Sequence, residues 1–185
     1  MRPRRIYLDY CATTPVHPDV RMAMMSALET DFGNPSSMHW AGQEAAGLLK
    51  QNRADVSFEL SCSPEEIIFT SGATEADNLA LFGTLRRFPL HKAHLITSSI
   101  EHHAILHAAQ ELEHQGCAVT YLPVNSCGLI DPEDVRRAIR PETLLISIML
   151  INNEMGAIQP VAEMGKIARE RGIYFHTDAA QGLGS

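Results

Sequence analysis

From residue 66 onward the chain alternates short apolar runs with longer stretches of helical periodicity, and this alternation narrows its possible folds more than any other feature. Residues 66–70, 94–97, 118–122, 143–149 and 173–178 read as strands. Residues 74–82, 104–115, 132–139 and 161–171 read as the helices between them, with Asp131 as a cap and Gly172 as a C-terminal stop. The run TLLISIM from Thr143 is almost continuously apolar, which predicts a strand buried on both faces. Strands alternating with helices predict an α/β fold with a mostly parallel, doubly wound sheet and right-handed crossovers. Upstream, residues 6–10 read as extended, and Asp19 reads as the cap of a helix reaching Leu28. Residues 33–37 carry turn chemistry, and 40–58 read as a second helix. The expected division is an N-terminal arm with helices over 1–60 and the sheet domain over 61–185.

The totals exclude several classes of function. The chain has 185 residues, a net charge of −7 and an isoelectric point near 5.7. Such an acidic chain is a poor partner for nucleic acid or an anionic membrane. Arg2, Arg4 and Arg5 make a small basic start, but no apolar signal-peptide core follows them. No apolar run approaches the roughly 20 residues of a membrane span. Cys11, Cys62, Cys117 and Cys127 form no CxxC pair and no zinc spacing, so reduced thiols in the cytoplasm are expected.

In a doubly wound sheet, ligands bind beyond the C-terminal ends of the strands. Each predicted strand end carries chemistry. After residues 66–70 comes SGATEADN, where Gly72 permits close backbone approach. Ala73 and Thr74 then open a helix whose free N–H groups, with the Thr74 hydroxyl, can cradle a phosphate. A capping box between Thr74 and Asp77 is the plainer account. After 94–97 comes Glu101-His102-His103, where an imidazole can lie on an aromatic ring or move a proton. His103 and His107 have metal-binding spacing, but no third ligand is evident, so no metal is expected and a solvated face explains His103, His107 and His114. After 143–149 comes Asn152-Asn153-Glu154, a source of amide hydrogen bonds or an Asn-rich turn. The last strand ends in Asp178, with Gln181 three residues on. A carboxylate there can keep a pyridine nitrogen protonated, or simply cap the next turn. Together these residues suit pyridoxal 5'-phosphate (PLP) better than any of the plainer accounts.

At this point the sequence resembles a family. YLDYCATTP, FGNPSSMH, EIIFTSGATEADNLA, EHHAIL, SIMLINNEMGAIQP and FHTDAAQ follow one another in the order of the cysteine desulfurases that serve iron–sulfur cluster assembly. These are class V, fold-type I PLP enzymes, and the resemblance covers their N-terminal half. It implies that Ala73 and Thr74 bind the PLP phosphate. His102 would stack on the ring and act catalytically as a proton relay. Asp178 would pair with the ring nitrogen, and Gln181 would bond the phenolic oxygen. Asn153 would contact that region and the substrate carboxylate. The implied reaction takes sulfur from L-cysteine as a persulfide on an enzyme cysteine and releases alanine.

The resemblance also implies what lies elsewhere. The Schiff-base lysine follows a Ser-x-His motif downstream of HTDA, and Lys50, Lys92 and Lys166 do not match it. The persulfide cysteine and a substrate-binding arginine also belong to the other half. Cys11 stands where the family usually has a small residue, and near the site it would be at most incidentally reactive. The family sheet has seven strands, of which five are expected here. The expectation is therefore a split or truncated enzyme, inactive alone, that pairs with a complementary C-terminal chain. A homodimer or a dimer of split halves is expected, with a sulfur acceptor or scaffold protein as further partner. The alternatives are another class V enzyme, such as a selenocysteine lyase or an aminotransferase, or a non-catalytic scaffold.

Overall fold

The computed structural model describes residues 5–183; Arg2 and Arg4 of the basic start lie outside them. The chain divides into two compact units between Phe69 and Thr70. The first contains α1 (Pro18–Thr30) and α2 (Trp40–Glu59), then a single 3-10 turn at Pro64–Glu66. The cap of α1 is His17, whose Nδ1 accepts the Asp19 N–H at 3.3 Å; Asp19, the predicted cap, sits inside the first turn. A carboxylate there still complements the positive end of the helix.

The second unit is the α/β sheet domain. It runs α3 (Ala73–Leu85), β1 (His94–Ser98), α4 (His103–His114), β2 (Ala118–Leu122), α5 (Pro132–Ala138), β3 (Thr143–Ser147), α6 (Val161–Glu170) and β4 (Tyr174–His176). The four strands are parallel, in the order β2-β1-β3-β4. Asp131 caps α5 as its sequence predicts, accepting the Glu133 N–H at 2.9 Å. Gly172 leaves α6 at φ 66°, a backbone turn that favours glycine.

One predicted strand does not form. Residues 66–70 are outside the sheet, although Ile67 has strand-like angles of φ −87° and ψ 125°. A strand is held by the hydrogen bonds of its neighbour. The resemblance places this segment's neighbours in the other half of the family's sheet. Within the first unit, Arg53 covers the segment, donating to the Ile67 carbonyl and lying 4.9 Å from the Phe69 ring centre.

The central strands β1 and β3 bury both faces. Leu95 and Leu145 point into a cluster with Leu81 and Leu85 of α3 and Ile105 and Leu112 of α4. Ile96, Ile146 and Ile148 point the other way, against Val135 of α5 and Met164 of α6. Each such side chain contributes on the order of 1.5–3 kcal/mol. Pairing continues beyond β4: the Ile148 N–H donates to the His176 carbonyl at 3.1 Å, and the Leu150 N–H to the Asp178 carbonyl at 2.8 Å. Asp178 is thereby delivered to the C-terminal end of the sheet, beside the end of β3.

At the opposite end, His94 is fully buried and ties three strands together. Its Nδ1 meets the Thr143 hydroxyl and its Nε2 the Thr120 hydroxyl, both at 2.8 Å. Burial, and then the positive charge of Arg140, hold its pKa down to about 4, against a smaller opposing effect of Glu142. A folded pKa below the unfolded one gives stability that is complete above the unfolded value and is lost as pH falls through the folded value. The stability difference between the wild type and His94→Gln should therefore shrink by about 3 kcal/mol as pH falls from about 6.5 to about 4. Urea denaturation across that range measures it, and a constant difference would show that His94 does not titrate in this way.

Candidate active site

The sheet domain gathers its polar strand ends around one small cavity. Ala73, His102, Met149, Ile151, Asn153, Asp178, Ala180 and Gln181 enclose about 120 Å³. Five of the six site residues predicted from sequence line it. The sixth, Thr74, lies in an adjoining cleft of about 500 Å³ that shares His102 and also includes Asn78, Phe82, His103 and His107.

Each wall has a local cause. Gly72 precedes α3 at φ 159° and ψ −179°, a conformation that is essentially open to glycine alone. No side chain caps α3. The predicted Thr74–Asp77 capping box is absent, because Asp77 turns to the sheet; Glu75 instead accepts the Ser71 N–H at 2.7 Å and the Ser71 hydroxyl at 2.6 Å. Those two bonds hold Glu75 below the usual carboxylate range. The N–H groups at the start of α3 have no intrahelical partner and carry the positive end of the helix dipole. That is a place for an anion.

His102 is the N-cap of α4, and its Nδ1 accepts the Ala104 N–H at 3.2 Å. In the neutral ring this bond assigns the proton to Nε2, which is left to act as a donor. Asp178 is 8% exposed, and its Oδ1 accepts the Ala180 N–H at 2.9 Å. It thus caps the next turn with one oxygen and can present the other to a ligand. His103 and His107 stack with ring centres 5.2 Å apart. Among the described residues, no three His, Cys, Asp or Glu side chains are grouped to hold a metal ion. Of the thiols, Cys117 is buried and Cys11 exposed, with the Cys11 Sγ 3.4 Å from a carboxylate oxygen of Asp9.

Two further residues brace the cavity: Glu101, which sequence alone gave no role, and Asn152, read there as a source of amide hydrogen bonds or part of an Asn-rich turn. Glu101 is 5% exposed. It accepts the Ser98 hydroxyl at 2.6 Å and the Met149 N–H on both oxygens, at 3.0 and 3.1 Å. Asn152 donates to the Ile100 carbonyl at 2.9 Å and accepts the N–H groups of Glu154 and Met155. Each brace immediately precedes a lining residue, His102 or Asn153. The signal that could have exposed them is their position, one residue inside each predicted ligand at a strand end.

The model of the class-V aminotransferases matches residues 6–185. The chain belongs to this family. A cysteine desulfurase IscS of Dictyoglomus turgidum is 46% identical over 181 residues, which cover 98% of this chain and 46% of that protein. The IscS of Methanosarcina thermophila is 48% identical over 181 residues, covering 98% and 45%. A solved structure of SspA in complex with cysteine is 44% identical, with a TM-score of 0.92, over 96% of this chain and 51% of that one. The chain thus spans about half the length of the family relatives it matches, and it corresponds to their N-terminal half. Its sheet matches the N-terminal part of the fold-type I enzymes.

Burial drives the Glu101 carboxyl up to about 7, against its hydrogen bonds from Ser98 and Met149, with smaller upward pushes from Asp178 and Asp77. A raised carboxyl pKa gives stability that is present below the unfolded value and lost as pH rises through the folded one. The stability of the wild type relative to Glu101→Gln should therefore fall by about 3 kcal/mol as pH rises from about 4.5 to about 7. This is the reverse of the trend expected at His94, so paired urea denaturation of both variants separates the two groups.

Proposed function

We propose that this chain is the cofactor-holding half of a PLP-dependent cysteine desulfurase acting on L-cysteine. The observation that carries this reading is the cavity that joins the start of α3, His102, Asn153, Asp178 and Gln181. Met149 and Ile151 add apolar walls, and an anion place adjoins it at the start of α3. The residues fit a flat, phosphorylated pyridine.

When bound, PLP supplies an electron sink for the carbon next to the substrate amine. The chain's own residues would bind and orient it. The N–H groups from Ala73 onward, with the Thr74 hydroxyl, hold the phosphate. Asp178 keeps a proton at the ring nitrogen through the oxygen that Ala180 does not use. Gln181 bonds the phenolic oxygen. His102 would stack on the ring and could donate through Nε2. Asn153 orients the ring edge and the substrate carboxylate. Met149 and Ile151 exclude water, which strengthens the pairing of Asp178 with the ring.

We assign the cofactor-anchoring lysine and the persulfide cysteine to the half of the family's length that this sequence does not match. A dimer that completes the sheet, and delivery of sulfur to an acceptor for iron–sulfur cluster assembly, belong to the same reading. Its support is that the IscS relatives matched across this chain are cysteine desulfurases.

The deciding experiment is reconstitution with a polypeptide that supplies the other half, assayed for bound PLP by visible absorbance and for sulfide release from L-cysteine. Both signals are expected, and the absence of both sinks the proposal. In the reconstituted protein, Asp178→Asn should lower kcat about a thousandfold, roughly 4 kcal/mol of barrier, because a charge pair is removed from a water-poor site. Folding should be unchanged, because the amide oxygen can still accept the Ala180 N–H. Turnover close to wild type would remove Asp178 from the ring.

A further inference from the structure

Beneath the cavity, a polar row crosses a sheet face that is otherwise apolar. Thr97, Ser147 and His176 are register partners across β1, β3 and β4. They share the face of Leu95 and Leu145, which packs against α3 and α4. The His176 Nδ1 meets the Ser147 hydroxyl at 2.9 Å. Its Nε2 lies 3.7 Å from Oδ1 of Asp77 on α3.

Asp77 occupies a position that should be apolar. The buried residues of α3 are Asp77, Leu81 and Leu85, one per turn along a single stripe. Asp77 is 3% exposed, and its Oδ2 is buried with no hydrogen-bond partner among the described residues. Such a group is costly unless something else depends on it. The titratable groups around it are few: Asp77 itself on α3, Glu101 after β1, and His176 and Asp178 at the end of β4. Burial first, and then the charge of Asp178, raise the Asp77 carboxyl to about 6, so the two acids are electrostatically in touch. Burial lowers the pKa of His176, with Asp178 opposing. The roles proposed for the cavity residues use neither Asp77 nor His176.

We propose that Asp77 is a positioning residue for Asp178: paired with His176, it fixes the end of β4 and thereby the carboxylate that the cavity presents to a ring nitrogen. The inference rests on the PLP reading of the cavity. His176 stands two residues before Asp178, and its ring lies between the Ser147 hydroxyl at 2.9 Å and Oδ1 of Asp77 at 3.7 Å. The Ser147 hydroxyl donates to Nδ1, and the Nε2 proton faces Asp77. A tethered His176 fixes the backbone from which the Asp178 carbonyl bonds the Leu150 N–H. Asp77 needs an oxygen here rather than a full charge, because a second charge would oppose that of Asp178.

The test uses the full chain and pyridoxine 5'-phosphate, whose alcohol cannot condense with lysines. Binding is followed by fluorescence from pH 6 to pH 9 in the wild type, Asp77→Ala, Asp77→Asn and Leu81→Ala. The histidine tautomer is read by nitrogen NMR without ligand. Asp77→Ala should weaken binding at least tenfold and release the Nε2-protonated tautomer of His176. Asp77→Asn, which keeps an oxygen toward Nε2, should bind within threefold of the wild type. Leu81→Ala, on the same stripe, should lose stability but not affinity. Wild-type binding that survives in a folded Asp77→Ala overturns the positioning role, as does an equal loss of affinity in Leu81→Ala or Asp77→Asn. A wild type that does not bind while its His176 tautomer depends on Asp77 overturns the PLP reading itself, and the positioning role with it.

Discussion

The Glu101 carboxyl joins two strands that the sheet ladder leaves free at their ends. It takes the hydroxyl of Ser98 from β1 and the N–H of Met149 just past β3. A buried acid used in this way must have its lone pairs filled, and here both oxygens are. Several residues around the cavity refer to that bridge. His102 follows it directly, Met149 is held by it, and Asn152 repeats the device one loop away through Ile100. His102 and Met149, walls of the cavity from separate segments of the chain, therefore share a common anchor.

The same region concentrates negative charge. Asp77, Glu101 and Asp178 are all buried, and the pKa of Glu101 responds to both of the others. Their burial raises the carboxyls of Glu101 and Asp77 toward neutrality. Of the three, Asp178 borders the cavity. A field of this sign favours a cationic guest at that carboxylate over a neutral one, in keeping with a protonated ring nitrogen.

Much of this was legible in the sequence, for physical reasons. The apolar run of β3 carries its own signal, since burial on both faces leaves few polar positions. Asp178 and His102 were legible because a doubly wound sheet has only one end where ligands bind. The segment 66–70 was not, because its composition matches a strand while no described strand lies beside it to take its hydrogen bonds. Glu101 and Asp77 were also hidden. A charged side chain is expected in water, and only the packing of Ser98, Met149 and His176 around them reveals otherwise. The His17 cap of α1 was missed because Asp is the commoner cap and stood two residues away.

The first helix has a different consequence. None of its residues is buried, and Met22, Met24 and Met25 are each more than half exposed. A thioether in the open is readily oxidised to a sulfoxide, which turns a pliable apolar surface into a polar, chiral one. Because α1 contributes nothing to a core in this chain, such damage would leave the fold intact and alter only what the surface can adhere to. Oxidant exposure would thus be recorded on this helix as a change in stickiness, reversible by sulfoxide reduction, well before it registered as unfolding.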